Sequence, residues 1–165
     1  MLAYFWVMSY VLPPNLLGFI FDELSPEHSD HVVRHVRGAM ERIAAQNKCT
    51  LHEVRTDAMY TTYDIWRLHA GQKPTTCLLV HRFVPYWTVT EEPPEGLLYD
   101  GAEIVDEPLV GEEAFELLGW QRLTTQLAAH PLDETALSHM READLYQINS
   151  WKATNVGQVL FNDWD

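Results

Sequence analysis

The first 21 residues, Met1 to Phe21, contain no charged side chain, and this feature limits the fold more than any other in the chain. A membrane span needs about 20 continuous apolar residues, but Pro13-Pro14-Asn15 interrupts this run after twelve. A secretory signal places basic residues before its apolar core, whereas the first basic residue here is Arg34. We therefore predict a buried central strand over residues 2–12 and no membrane segment.

The pattern after this run predicts an α/β fold. Ser25-Pro26-Glu27 is typical of a helix start, with serine as the cap and proline at the first position, and we expect the helix to end near Gln46. Strand and helix then alternate, an order that favours a mostly parallel sheet with covering helices. The further elements predicted in this half are a strand over 49–55, a short helix over 62–70, a strand over 76–84 and a short edge strand over 86–90.

The C-terminal third is predicted to be helical. After a turn over 91–96, Asp100-Gly101 is a hairpin signal between two short strands. Helices are then expected over 112–129, 133–148 and 155–164. The apolar residues of the first of these, Leu117 and Leu118 among them, are expected to lie mostly on one side of the helix.

The last predicted helix stays apolar as far as Trp164. Chain ends usually fray unless they dock on something. We therefore expect this helix to dock on the chain's own sheet, with a homodimer formed through it as the alternative.

The chain's length suits a single domain over residues 1–165, in which a neutral α/β half (1–86) precedes an acidic half of loop and helices (87–165). Residues 1–82 hold 8 acids and 8 basic residues, whereas residues 83–165 hold 16 acids and 3 basic residues and so carry the whole net charge of -13. General nucleic-acid binding needs an excess of Lys and Arg, and so does docking on anionic membrane. The charge therefore argues against both.

No basic residue lies between Arg82 and Arg122, a stretch that contains ten acids. This one-sided charge predicts a surface that meets a basic protein partner, although a solvated face that maintains solubility would look the same. Trp87 is the residue expected to be an exposed interface anchor. The predicted partner-binding residues are Trp87, Glu91, Glu92, Glu95, Asp100, Glu103, Asp106 and Glu107.

Two cysteines, Cys49 and Cys77, cannot form a disulfide scaffold, and no CxxC motif is present. A reducing cytoplasm is therefore the expected compartment. The glycines form neither GxGxxG nor GxxxxGK[ST], and no DxDxDG calcium loop is present. We expect no cofactor.

His28, His31 and His35 form the sharpest cluster of metal-ligating residue types. Spacings of three and four place them on one helical face, and imidazoles one turn apart suit a divalent metal. The motif is not the HExxH of zinc proteases. A solvated helix face is the simpler interpretation, and a metal site is the alternative.

Ser9 and His81 form a second set of catalytic candidates. If strands 2–12 and 76–84 were neighbours, the two side chains could approach each other, and a serine–histidine pair oriented by a carboxylate is an activated nucleophile. No G-x-S-x-G elbow surrounds Ser9. A buried structural histidine is the competing interpretation of His81.

The predicted order is a strand that ends in Ser9, a long helix, a second strand, a small helix and a third strand. This order resembles the N-terminal domain of serine recombinases, the resolvase/invertase family. The likeness covers residues 1–86 and rests mainly on element order. The family's Arg-x-Ser motif has Val7 at the arginine position, and the run His81-Arg82-Phe83-Val84-Pro85-Tyr86 lacks the Asp and second Arg of the matching family motif. Because those arginines neutralise the scissile phosphate, the resemblance implies a catalytically inactive, regulatory relative.

These observations favour a non-enzymatic, acidic interaction or regulatory protein that binds a basic protein partner, in the manner of an inhibitor or antitoxin. An inactive resolvase-like regulatory domain is the first alternative. A small hydrolase that uses Ser9 with His81, or the histidine face, is the second.

Overall fold

A computed structural model of the chain describes residues 9–14, 16–17, 26–54, 62–91 and 103–161, with side chains of the first helix described from His35 onward. The helices and strands, in chain order, are α1 (Pro26–Gln46), β1 (Thr50–Val54), β2 (Tyr63–His69), β3 (Thr76–His81), β4 (Tyr86–Glu91), α2 (Glu113–Leu117), β5 (Gln121–Arg122), α3 (Thr125–Ala128), α4 (Glu142–Ser150) and α5 (Val156–Leu160).

The five strands form one sheet in the order β1-β2-β3-β4-β5. The first four pair antiparallel, and only β4 and β5 are parallel. The connections over residues 70–75 and 82–85 are hairpin-sized, whereas a parallel pair needs a crossover of a dozen or more residues. The predicted mostly parallel sheet is therefore wrong.

The predicted helix over 62–70 is strand β2. Ile65, Trp66 and Leu68 are spaced as on one helical face, but the residues are buried on both faces of the sheet, with Asp64 and Arg67 partly exposed between them. Tyr, Ile and Trp also favour strands. Asp64 helps to fix the neighbouring hairpin, because its Oδ1 accepts from Arg82 Nε and Nη2 at 2.9 and 2.8 Å.

The predicted central strand over 2–12 does not appear in its described part, since residues 9–12 have no strand structure. The neighbours of β3 are β2 and β4, so residues 9–12 do not lie beside β3 in the sheet. Leu12 is buried and donates its backbone N–H to the carbonyl of Ala136 at 2.9 Å. Residues 2–8 lie outside the described residues.

Both faces of the sheet are covered. One face packs against α1 and α2 through a cluster that includes Met40, Ile43, Trp66, Trp87 and Phe115. The opposite face packs against the segment before α1 and the C-terminal residues. Its buried members include Leu12, Ile65, Leu79, Leu123 and Phe161. This double coverage explains why β3 is buried along almost its whole length although its partners are antiparallel.

The prediction of a helical C-terminal third is wrong, because this part of the described chain contains only short helices. The predicted helix over 112–129 is interrupted: α2 ends at Leu117, Gly119 follows at φ +77°, and strand β5 precedes α3. A positive φ is the conformation in which glycine terminates helices. The predicted helix over 133–148 begins only at Glu142 and runs on to Ser150 as α4. Residues 156–160 of the predicted helix over 155–164 form α5, and residues 162–164 lie outside the described residues. The predicted edge strand over 86–90 is β4, which is internal.

The C-terminal helix α5 docks on the chain's own core, since Val156, Val159, Leu160 and the following Phe161 are completely buried. Its apolar residues are therefore already covered within one chain. The homodimer through this helix stays a prediction, and Trp164 lies outside the described residues. Within the described ranges, no helix combines the length and apolar content that a membrane crossing requires.

Candidate functional site

Arg122 contacts several parts of the acidic half through its guanidinium group. Its Nη1 donates to Glu112 Oε2 at 2.5 Å, and its Nη2 donates to the backbone carbonyls of Val105 and Glu107 at 2.6 and 2.9 Å. Its Cζ lies 5.3 Å from the ring centroid of Trp87, which is a cation–π distance. A single guanidinium thus joins α2, β4 and the segment before α2.

Two backbone segments cover the outer edge of β4. At its beginning, the N–H groups of Gln121 and Leu123 donate to the carbonyls of Pro85 and Trp87, both at 2.8 Å. Farther along, Val105 donates to the carbonyl of Val89 at 2.9 Å. The acidic residues that follow Glu103 are therefore held on the sheet rather than on a free loop.

The space between the end of β4, the segment 103–107 and the start of α3 is a cleft of about 330 Å³, which we call the acidic groove. Four of its lining residues are acidic and none is basic. The full lining consists of seven residues: Glu91, Glu103, Ile104, Val105, Asp106, Glu107 and Thr125. Of the predicted partner-binding residues, Glu91, Glu103, Asp106 and Glu107 line the groove, whereas Trp87 does not. Glu92, Glu95 and Asp100 lie outside the described residues.

The acids of the groove have two different roles. Asp106 accepts from the backbone N–H of Thr125 at 2.8 Å and from the Thr125 hydroxyl, so it holds the first residue of α3. These hydrogen bonds lower the pKa of Asp106. Glu91, Glu103 and Glu107 are exposed, and their carboxylates contact no cation or donor in the described part of the chain. They remain available to a ligand.

A second cleft of about 330 Å³, the tryptophan cleft, lies on the other side of Arg122. Its lining consists of Trp87, Glu112, Glu116, Gly119, Trp120, Gln121 and Arg122. Glu112 is held by Arg122 and by the backbone N–H of Leu109, at 3.0 Å. Glu116 is exposed. Arg122 lines only this cleft, but its Nη2 donates to the carbonyls of Val105 and Glu107, two residues that line the acidic groove.

Trp87 is not the exposed anchor that its position in the sequence suggested. It is 1% exposed and stacks on Phe115 with ring centroids 4.4 Å apart and planes at 12°. Because residue 87 faces α1 and α2 from an internal strand, its ring belongs to the core. Its Nε1 has no hydrogen-bond partner among the described residues.

Leu117 and Leu118 are the surface residues that sequence reasoning missed. Leu117 is 79% exposed and Leu118 is 42% exposed. They were expected to continue an apolar helical stripe, but the helix ends there and only Ala114 and Phe115 of α2 are buried. Gly119 was the available signal, since a glycine within an apolar helical pattern marks a helix end.

The structure does not bring Ser9 and His81 together as a catalytic pair. Ser9 is exposed, whereas His81 is completely buried. The Nδ1 of His81 accepts from the backbone N–H groups of Phe83 and Val84 at 3.0 and 3.2 Å, so the neutral ring carries its proton on Nε2. Burial, together with the positive charge of Arg82, lowers the pKa of His81 to about 3. The geometry is that of a structural histidine.

The three histidines of the predicted metal face all lie in α1, as expected. The side chain of His35 is exposed, and those of His28 and His31 are outside the described part. Across the side chains that the structure describes, no group of three or more His, Cys, Asp or Glu residues is placed to hold a metal ion.

No protein-family model matches the chain, and no curated protein or solved structure matches it either. The resemblance to the serine recombinase domain therefore stays a prediction. Strand β3 pairs antiparallel with β2 and β4 in the described part of the chain.

Proposed function

We propose that the protein is a non-enzymatic regulator that binds a basic protein partner through the acidic groove, in the manner of an inhibitor or antitoxin. The observation that carries this proposal is the presence of three exposed carboxylates, those of Glu91, Glu103 and Glu107, around one cleft without a basic lining residue. Lysine and arginine side chains complement such a surface, and complementary charge speeds encounter and rejects wrong partners.

The charge of this half is poorly compensated within the chain. Residues 83–165 contain three basic residues, and two of them form ion pairs with acids outside the groove. Arg122 pairs with Glu112, and Arg141 Nε donates to Asp144 at 2.8 Å. The carboxylates of Glu91, Glu103 and Glu107 therefore stay exposed without a partner cation among the described residues. Long-range attraction of a cationic surface follows, and it decreases with ionic strength because salt screens it over about 10 Å at 0.1 M.

The rigid attachment of the groove also favours binding. Backbone hydrogen bonds to β4 and the contacts of Arg122 fix the segment that carries Glu103 and Glu107. A surface that is ordered before the encounter loses less conformational entropy on association than a mobile acidic tail would. We place this activity in the cytoplasm, the compartment expected for a chain with two cysteines and no CxxC motif.

The test compares wild type with the double variant E91Q/E103Q as bait in pull-downs, and as receptor for fluorescent hexalysine, at about 30 and about 300 mM salt. We expect salt-sensitive capture by wild type and a loss of roughly 3- to 10-fold in hexalysine affinity in the variant, since each exposed charge pair contributes about 0.5 kcal/mol.

The matched control is E134Q/E142Q, which removes the same charge from two exposed acids outside the groove. It should retain most of the wild-type affinity. Equal losses of hexalysine affinity in both variants would show that net charge, and not the groove, determines binding. The absence of any salt-sensitive binding would reject the proposal.

A further inference from the structure

We propose that the basic partner is also amphipathic, and that Leu117 and Leu118, at the end of α2, receive its apolar side chains beside the tryptophan cleft. This inference rests on the proposed function and specifies the chemistry of the partner. Recognition of the partner then combines an acidic surface, the groove, with an apolar surface, the end of α2.

Leu117 is 79% exposed, which leaves nearly a whole leucine side chain in water. Single exposed apolar residues are ordinary on protein surfaces, but here two adjacent leucines are followed by Gly119 and Trp120, both of which line the cleft. The leucines therefore come directly before residues that line a concavity. Apolar residues next to a concave site are typical of interface centres.

The end of α2 is held firmly in place. Ala114 and Phe115 are buried, and Phe115 contacts both Trp87 and Trp120 through its ring. Exposure of the two leucines is therefore fixed by the anchoring of the opposite side of the same short helix. A partner would meet a preformed surface.

The charges around Leu117 and Leu118 indicate which kind of partner would bind there. Glu113 and Glu116 of α2 are exposed beside the leucines, and Glu112 and Glu116 line the cleft. A second copy of this chain would bring the same acids against themselves, which is repulsive. An anionic membrane would be repelled for the same reason. A protein segment with lysine or arginine around an apolar residue satisfies both the leucines and the acids.

One continuous segment can contact both parts of the surface, because Arg122 joins them. Its Nη1 bonds Glu112 in the tryptophan cleft, and its Nη2 bonds the carbonyl of Glu107 in the acidic groove. A partner segment that crosses Arg122 would place its basic side chains along the groove and its apolar side chain on Leu117.

The experiment measures the binding of two fluorescent peptides to the full chain at about 30 and about 300 mM salt. One is hexalysine, and in the other the same number of lysines alternates with leucines. We expect the leucine–lysine peptide to bind about tenfold more tightly at high salt, where charge is screened and apolar contact is not.

Leu117→Ser should remove this preference for the leucine–lysine peptide and leave hexalysine affinity unchanged. The matched control is Tyr146→Ser, which removes another exposed apolar side chain, 70% exposed on α4, and should keep the preference. Equal affinity of wild type for the two peptides, or equal loss in the two variants, would overturn the inference while leaving the proposed function intact. Failure of both peptides to bind at low salt would overturn the proposed function as well.

Discussion

Arg122 and Glu112 form a 2.5 Å ion pair that lies largely out of solvent in the lining of the tryptophan cleft. Removal of the guanidinium would leave the carboxylate partly buried without its cation and would free the carbonyls of Val105 and Glu107. We expect Arg122→Gln to lower the free energy of unfolding by about 2–4 kcal/mol, measured by urea denaturation.

Arg37→Gln is the matched control for this prediction. Arg37 pairs with Glu41 on the exposed face of α1, where ion pairs contribute about 0–1 kcal/mol. Similar losses in the two variants would contradict a central role for Arg122.

The lowered pKa of buried His81 makes the free energy of unfolding depend on pH. Its pKa is about 3 in the folded chain and about 6.5 when unfolded, so the unfolded chain binds more protons between these values. The stability provided by the neutral ring is fully present above about pH 6.5 and is progressively lost as pH falls towards 3. Near pH 4.5 the loss amounts to about 2–3 kcal/mol.

The variant His81→Asn tests this dependence, because its amide oxygen can still accept from the backbone at Phe83 or Val84 but the side chain does not titrate. We expect lower stability at neutral pH, from lost ring contacts with Phe83 and Phe161, and a smaller decrease between pH 7 and about 4.5. Urea midpoints at the two pH values measure it. An unchanged decrease would show that other groups cause the pH dependence.

The elements that the sequence predicted correctly have strong local signals. The helix start at Ser25-Pro26-Glu27 predicted α1, and the short apolar runs predicted β3 and β4. Strand β2 was missed because Ile65, Trp66 and Leu68 fit a helical face as well as a strand that is covered on both sides. That one error changed the predicted topology, since a helix between strands implies a parallel crossover, whereas a strand there gives short antiparallel hairpins.

The sequence predicted the acidic character of the candidate site but not its three-dimensional arrangement. The stretch without lysine or arginine located the acidic surface, and Glu91, Glu103, Asp106 and Glu107 do line one groove. Charge alone could not show that Asp106 serves α3, nor that Arg122 reaches carbonyls 15 and 17 residues away. These contacts depend on the tertiary arrangement around β4.

Two glycines give opposite predictions for the same substitution. Gly111 has φ +91°, and a Cβ there would collide with the side-chain amide of Gln46, so Gly111→Ala should lower the free energy of unfolding by about 1–2 kcal/mol. Gly38 lies on the exposed side of α1, where an added methyl group would meet only open space, and Gly38→Ala should raise it by about 0.5–1 kcal/mol. Thermal unfolding measures both, and changes of the same sign would contradict the α1–α2 packing.

The hydroxyl of Tyr10 donates to that of Tyr86 at 2.7 Å and ties the segment before α1 to the first residue of β4. Tyr10→Phe should lower the free energy of unfolding by about 1 kcal/mol at neutral pH. Burial raises the pKa of both tyrosines, so the folded chain keeps their protons when the unfolded chain loses them above about pH 10. Wild-type stability therefore decreases above that pH, and because the substituted phenylalanine does not titrate, the gap to the variant should narrow. Urea denaturation at pH 7 and at about pH 10.5 measures this gap, and a constant gap would contradict the buried environment of the pair.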